Sequence, residues 1–131
     1  MRIAVVSDNG RAVSQHFGRA PYYVVLAVEG DKIVSAETRP KAGHHSFAAQ
    51  QHSASAEGPH GYDAASQARH RTMAEAIADC QVLIAGGMGW GAFESLRARG
   101  IEPVLTDVRD VGEAALRYVQ GNLPNLVERL H

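Results

Sequence analysis

Five of the seven histidines fall in one stretch, Lys41 to His70: His44, His45, His52, His60 and His70. Imidazole titrates near neutrality and is the commonest protein metal ligand. The same stretch holds only Phe47 and Tyr62 as bulky apolar side chains, too few to build a core of its own. A His-rich, core-poor segment on a folded body predicts a flexible arm at about 41–70 that captures a metal ion or metal cluster. The spacing matches no closed zinc site: there is no Cys-x-x-Cys, no His-Glu-x-x-His and only one thiol. A loose set of imidazoles suits transient transfer better, and it accepts iron, copper, nickel or zinc. The plainer alternative is a solvated loop in which histidines happen to gather.

Two further segments carry donor groups. Ser14-Gln15-His16-Phe17-Gly18 follows the first apolar run and its Asp8-Asn9-Gly10 turn. In a parallel sheet, loops beyond the carboxyl ends of strands form the ligand crevice, which would hold Asp8, Asn9 and His16. His16 is there either a ligand or a side chain bonded to its own loop. Ser14 and His16 stand too close in sequence for a nucleophile–base pair, and no orienting acid is evident. Gly86-Gly87-Met88-Gly89-Trp90-Gly91 follows a strand and opens a helix. Free amides at a helix start make an anion cradle, while glycines in that place equally permit tight strand–helix packing. The glycines also fit a dinucleotide pattern with Asp107 further on, but at the fourth strand instead of the first and without a phosphate-loop lysine. Of Met88 and Trp90, one belongs to the core and one to the crevice rim. Cys80 is either a small buried hydrophobe or the softest donor available for iron or copper.

The rest of the chain must position these groups. Ile3 to Val6 reads as a strand buried on both faces. Tyr22 to Val28 and Ile33 to Glu37 read as an antiparallel hairpin turning at Gly30-Asp31. After the His-rich stretch, a helix with Met73, Ala74, Ile77 and Ala78 inward ends near Asp79, starting at Thr72 or earlier, from Asp63 or Ser66. Val82 to Ala85 is a short buried strand, and Trp90 to Arg99 a helix stopped by Gly100. Glu102 to Leu105 is a further strand, Asp110 with Glu113 opens a last helix to Gly121, and Leu123 to His131 is a tail. Right-handed βαβ crossovers in the second half and a hairpin in the first predict one α/β domain over 1–131. Its mixed five-stranded sheet is flanked by about three helices.

Composition narrows the classes. With 131 residues, 45% hydrophobic, 21% charged and a net charge of −1, the chain suits one ordinary globular domain. No Lys/Arg block suggests nucleic acid. The opening apolar run is too short for a signal peptide, and nothing approaches the roughly 20 apolar residues of a membrane helix. The single cysteine fits a reducing cytoplasm.

Several of these segments also resemble a known family, the dinitrogenase iron-molybdenum cofactor biosynthesis proteins that include the NifX-type carriers. Met1-Arg2-Ile3-Ala4-Val5 with Ser7-Asp8-Asn9-Gly10 is similar to the family's opening. Val13-Ser14-Gln15-His16-Phe17-Gly18-Arg19-Ala20-Pro21-Tyr22 resembles its most specific segment. Ala78-Asp79-Cys80, Leu83-Ile84-Ala85-Gly86-Gly87-Met88-Gly89 and Gly100-Ile101-Glu102-Pro103 resemble its second half. The resemblance implies a ribonuclease-H-like fold and non-enzymatic binding of an iron-molybdenum cofactor or related iron–sulfur cluster. It implies ligands on histidine-bearing loops, here His16 and the His44–His60 stretch, and a cofactor-synthesising or receiving protein as partner. The long middle insertion departs from the family's pattern. The expected binding set is therefore Asn9, His16, Gly86, Gly87, Met88 and Gly89 for the cofactor, with His16, His44, His45, His52, His60 and Cys80 as metal donors. A divalent-metal sensor or buffer, and more remotely a nucleotide-binding enzyme using Gly86–Gly91, are the competing readings.

Overall fold

A computed structural model describes residues 1–41 and 71–131. The His-rich arm, with His44, His45, His52, His60 and His70, lies outside the described residues. Five strands make one sheet: β1 (Arg2–Ser7), β2 (Tyr22–Glu29), β3 (Lys32–Pro40), β4 (Val82–Ala85) and β5 (Glu102–Leu105). Their order is β3-β2-β1-β4-β5. β1, β4 and β5 run parallel, while β2 is antiparallel to both β1 and β3. This is the mixed sheet expected from the sequence, in the ribonuclease-H-like arrangement.

Alternation along the strands explains the layering. Ala4 and Val6 of β1, Tyr23 and Val25 of β2 and Leu83 of β4 face one core, with Met73, Ile77, Phe93 and Leu96 from the helical segments that cover it. Ile3, Val5, Val24, Leu26 and Ile84 face the other, under Val111, Ala114 and Ala115. Residues 71–75 are helical and pass into hydrogen-bonded turns before Cys80. They and α1 (Trp90–Ala98) cover the first face, and α2 (Val111–Val119) covers the second. Helices on both faces account for the continuous apolar runs of the parallel strands, which have no solvent side.

Local chemistry sets the element ends. Asp110 caps α2 by accepting from the Glu113 N–H at 2.8 Å. The α2 helix stops at Val119, and Gly121 at φ +77° receives the closing turn, its neighbour Asn122 donating to the Arg117 carbonyl at 2.8 Å. Leu123 to His131 is more than the tail expected from sequence. Residues 127–129 form a short 3-10 turn, and Met88 pairs with Leu130 in a parallel bridge.

Tyr23 ties the sheet to the helix that follows the arm. Its ring is fully buried and its hydroxyl donates to the Met73 carbonyl at 2.9 Å. Removing the hydroxyl leaves that carbonyl without its partner in a water-poor place. Tyr23→Phe is expected to lower stability by about 1–2 kcal/mol, read as a fall in the urea midpoint at unchanged slope. A midpoint equal to the parent's would contradict this anchor.

Candidate functional site

The carboxyl ends of β1, β4 and β5 share one end of the sheet. Register places the start of β2 and the end of β3 there too, since Ser7 faces Tyr22 and Tyr22 faces Pro40. Three loops meet at this mouth: residues 8–21, the glycine turn after β4, and the segment that precedes α2.

The first loop is locked by its own polar groups. The Ser7 hydroxyl accepts from the Gly10 N–H at 2.8 Å and donates to the Ala12 carbonyl at 2.6 Å. Asn9 Oδ1 accepts from the Arg11 and Ala12 N–H groups at 2.9 and 2.8 Å, so this carbonyl oxygen is committed to the turn. Ser14 is buried and its hydroxyl donates to Asp8 Oδ1 at 3.0 Å while accepting from the His16 N–H at 3.2 Å. A hydroxyl so held is no nucleophile. The His16 carbonyl accepts from Arg19 and Ala20. The His16 backbone is thus fixed while its side chain is exposed, and among the described residues its ring makes no hydrogen bond. The imidazole is available as a donor on a rigid base.

The glycine turn shows why glycines stand there. The Gly86 N–H donates to the Ser14 carbonyl at 2.8 Å and the Phe17 N–H to the Gly87 carbonyl at 3.0 Å. A Cβ on Gly87 would sit 2.6 Å from the Gln15 carbonyl oxygen, and one on Gly86 would sit 2.9 Å from the Gln15 Cα. Gly86 and Gly87 serve close approach of the loop that bears His16. The space a dinucleotide's phosphates would enter above them is filled by Gln15. Met88 is buried in the core, and its N–H and carbonyl both face residues 129–131. Trp90 is the rim residue, half exposed and edge-on to Phe93 at 5.9 Å.

The open amides lie slightly further on than the sequence suggested. Gly89 is the N-cap of α1 and no side chain caps it. The N–H groups of Trp90, Gly91 and Ala92 have no intrahelical acceptor, and the positive end of the helix dipole adds to their pull on an anion.

Cys80 stands apart. It precedes β4, whereas the glycine turn follows it, so the length of the strand, roughly 15–20 Å, separates them. The thiol is buried, and burial, then the charge of Asp79, pushes its pKa up to about 12. Asp79 itself is held well below the usual carboxylate range by hydrogen bonds from Arg39. Two surface cavities, of about 440 and 760 Å³, also lie at that far end, lined by residues such as Arg97 and Glu102, and Met1 and Tyr118. Among the described residues, no three His, Cys, Asp or Glu side chains gather to hold a metal ion.

Two residues at the mouth escaped the sequence reading. His131 lies against the turn, its N–H donating to the Met88 carbonyl at 3.0 Å. Lys41 is buried, its Nζ 4.5 Å from the Phe17 ring centroid and 3.4 Å from Met73 Sδ. Lys41 and Met73 flank the undescribed stretch, so both its flanks meet beside the loop that carries His16.

This fold with this loop pair defines a family. The chain belongs to the dinitrogenase iron-molybdenum cofactor family, whose model matches residues 1–121. Solved structures agree on the fold. The apo form of the orange protein from Desulfovibrio gigas is 27% identical with a TM-score of 0.65, over 95% of this chain and 91% of that one. A Thermotoga protein described as a candidate NifB is 22% identical with a TM-score of 0.63, over 95% and 92%. A candidate dinitrogenase protein from Methanocaldococcus jannaschii is 12% identical with a TM-score of 0.61, over 96% and 94%. No curated protein matches the chain. No helix among the described residues is long and apolar enough to cross a membrane.

Two outcomes test this geometry. Gly87→Ala must push the Gln15 backbone away and is expected to cost about 1–3 kcal/mol, with the Phe17 amide shifting in NMR spectra. An unshifted, equally stable variant would contradict the close approach. Cys80 should react with iodoacetamide at pH 8 at least about a hundredfold more slowly in the native protein than in denaturant. Equal rates would show an open thiol.

Proposed function

We propose that the chain is a non-enzymatic carrier that holds an iron-containing metal–sulfur cofactor, of the iron–molybdenum type or its precursor, at this mouth. One observation carries the reading. The exposed His16 imidazole, the uncapped start of α1 and both flanks of the His-rich stretch meet at one end of the sheet. The family supports the cofactor class, and the orange protein, solved in an apo form, supports a fold that can stand without its ligand.

The donor set suits cargo that must be given up again. A metal–sulfur cluster is bulky and anionic. The amides of Trp90 to Ala92 offset part of its charge. His16 offers one exchangeable bond to an outer metal. The histidines at 44, 45, 52 and 60 would supply others from the stretch between Lys41 and Arg71. Bonds from imidazoles exchange readily, which keeps release possible. Asn9 shapes the loop through its carbonyl oxygen, and Cys80, at the other end of β4, takes no part. In this reading the protein works in the cytoplasm, between a protein that makes the cofactor and one that receives it.

Elemental analysis and visible absorption of anaerobically purified protein test the cargo directly. Protein mixed with iron–sulfur cluster or with tetrathiomolybdate should become coloured. His16→Ala should weaken uptake about tenfold, the loss of one exchangeable bond worth about 1.4 kcal/mol, and replacing His44, His45, His52 and His60 together should weaken it further. Unchanged uptake in both variants would reject capture by histidine, and tighter binding of zinc or nickel than of cluster would favour the sensor.

A further inference from the structure

Residues 122–131 lie beyond the 1–121 match to the family, yet they finish on the mouth. One part of them is fixed. The Asn125 side chain runs along the outer edge of β5 as a neighbouring strand would. Its Oδ1 accepts from the Leu105 N–H at 2.9 Å and its Nδ2 donates to the Pro103 carbonyl at 3.3 Å. The Leu126 N–H then donates to the Leu105 carbonyl at 2.9 Å. Pro103 offers no N–H, so this edge is closed by one amide side chain and one backbone bond.

Past that anchor the segment is held by Leu130, packed half-buried against the core, and by a few polar contacts. The chain makes one 3-10 turn, Val127–Arg129, with Val127 56% exposed. Arg129 Nη1 donates to the Gly86 carbonyl at 3.2 Å and to Gln15 Oε1 at 3.1 Å. The Met88 N–H reaches the Arg129 carbonyl only at 3.5 Å, and the His131 N–H donates to the Met88 carbonyl at 3.0 Å. The main-chain oxygen of His131 lies 3.8 Å from where a Cβ on Gly89 would stand. The Arg129 carbonyl oxygen therefore faces the Met88 N–H, and the His131 main-chain oxygen stands beside Gly89, the N-cap of α1. Oxygens in that place repel an anion approaching the open amides.

We propose that residues 127–131 are a strap that gates the glycine turn. Seated, the strap occupies both backbone groups of Met88 and the Gly86 carbonyl, and sets negative dipoles beside the amides of α1. Lifted about the Asn125–Leu126 anchor, it withdraws those dipoles and frees the Arg129 guanidinium. This regulation rests on the reading of the mouth as an anion-binding site. Strap and anion exclude one another, so each weakens the other by the same factor.

The test uses the full chain, a variant ending at Leu126, and Arg129→Ala, which retains Leu130 should the shorter chain fold poorly. Amide exchange by NMR reads the strap itself. The Met88 N–H should exchange about tenfold faster or more in the shortened chain, and to an intermediate extent in Arg129→Ala. Titration with tetrathiomolybdate, a sulfide-ligated molybdenum dianion, reads the coupling. The strapless protein should bind about tenfold more tightly, and saturating dianion should speed exchange at His131 in the full chain. Unchanged Met88 exchange in both variants, or weaker binding without residues 127–131, would overturn the strap. If no form binds the dianion, the proposed carrier function fails, and the Met88 exchange alone decides whether the strap covers the turn.

Discussion

The contact on which the mouth depends is the approach of Gln15 to Gly86 and Gly87. No side chain larger than hydrogen fits between them, since a Cβ on Gly87 would meet the Gln15 carbonyl oxygen at 2.6 Å. That closeness lets Ser14 and Phe17 exchange backbone hydrogen bonds with Gly86 and Gly87, extending the sheet's pairing past the end of β4. Phe17 can then sink into the core beside Tyr23, and the residue between Gln15 and Phe17 must point away from it. His16 is exposed because its neighbours are not. The position of the proposed donor follows from steric fit at two glycines, before any metal is considered.

The sheet divides the molecule into two ends with different character. At the amino ends of the parallel strands stand Cys80 and two open cavities. The thiol there is buried in the core cluster, and that burial raises its pKa. At the carboxyl ends stand His16, the start of α1 and the flanks of the His-rich stretch. The helix dipoles favour negative charge only at that end, because α1 begins there. An anionic, sulfur-rich cargo of the kind proposed has electrostatic reason to choose the mouth.

Much of this was legible in the residue order. Continuous apolar runs bounded by turn residues gave all five strands to within three residues, and Asp110, Gly100 and Gly121 fixed helix ends through caps that need particular side chains or a positive φ. Three features were not legible. The tail's docking uses backbone atoms of Met88 and the amide of Asn125, which leave no periodic pattern. Lys41 is buried through a ring face and a thioether, partners that no charge pattern in sequence announces. The roles of the glycines were ambiguous because a cradle and a close-packed turn require the same missing Cβ. Only the position of Gln15 shows that Gly86 and Gly87 serve packing, while a Cβ on Gly89 would meet nothing nearer than the His131 oxygen at 3.8 Å.

The most direct test of the account is chemical-shift mapping of the isotopically labelled protein as tetrathiomolybdate is added. The account predicts shifts concentrated at His16 and at Gly89 to Ala92, with residues around Cys80 and the two cavities unmoved. Shifts centred on Cys80 or on either cavity, with His16 and the start of α1 silent, would contradict it.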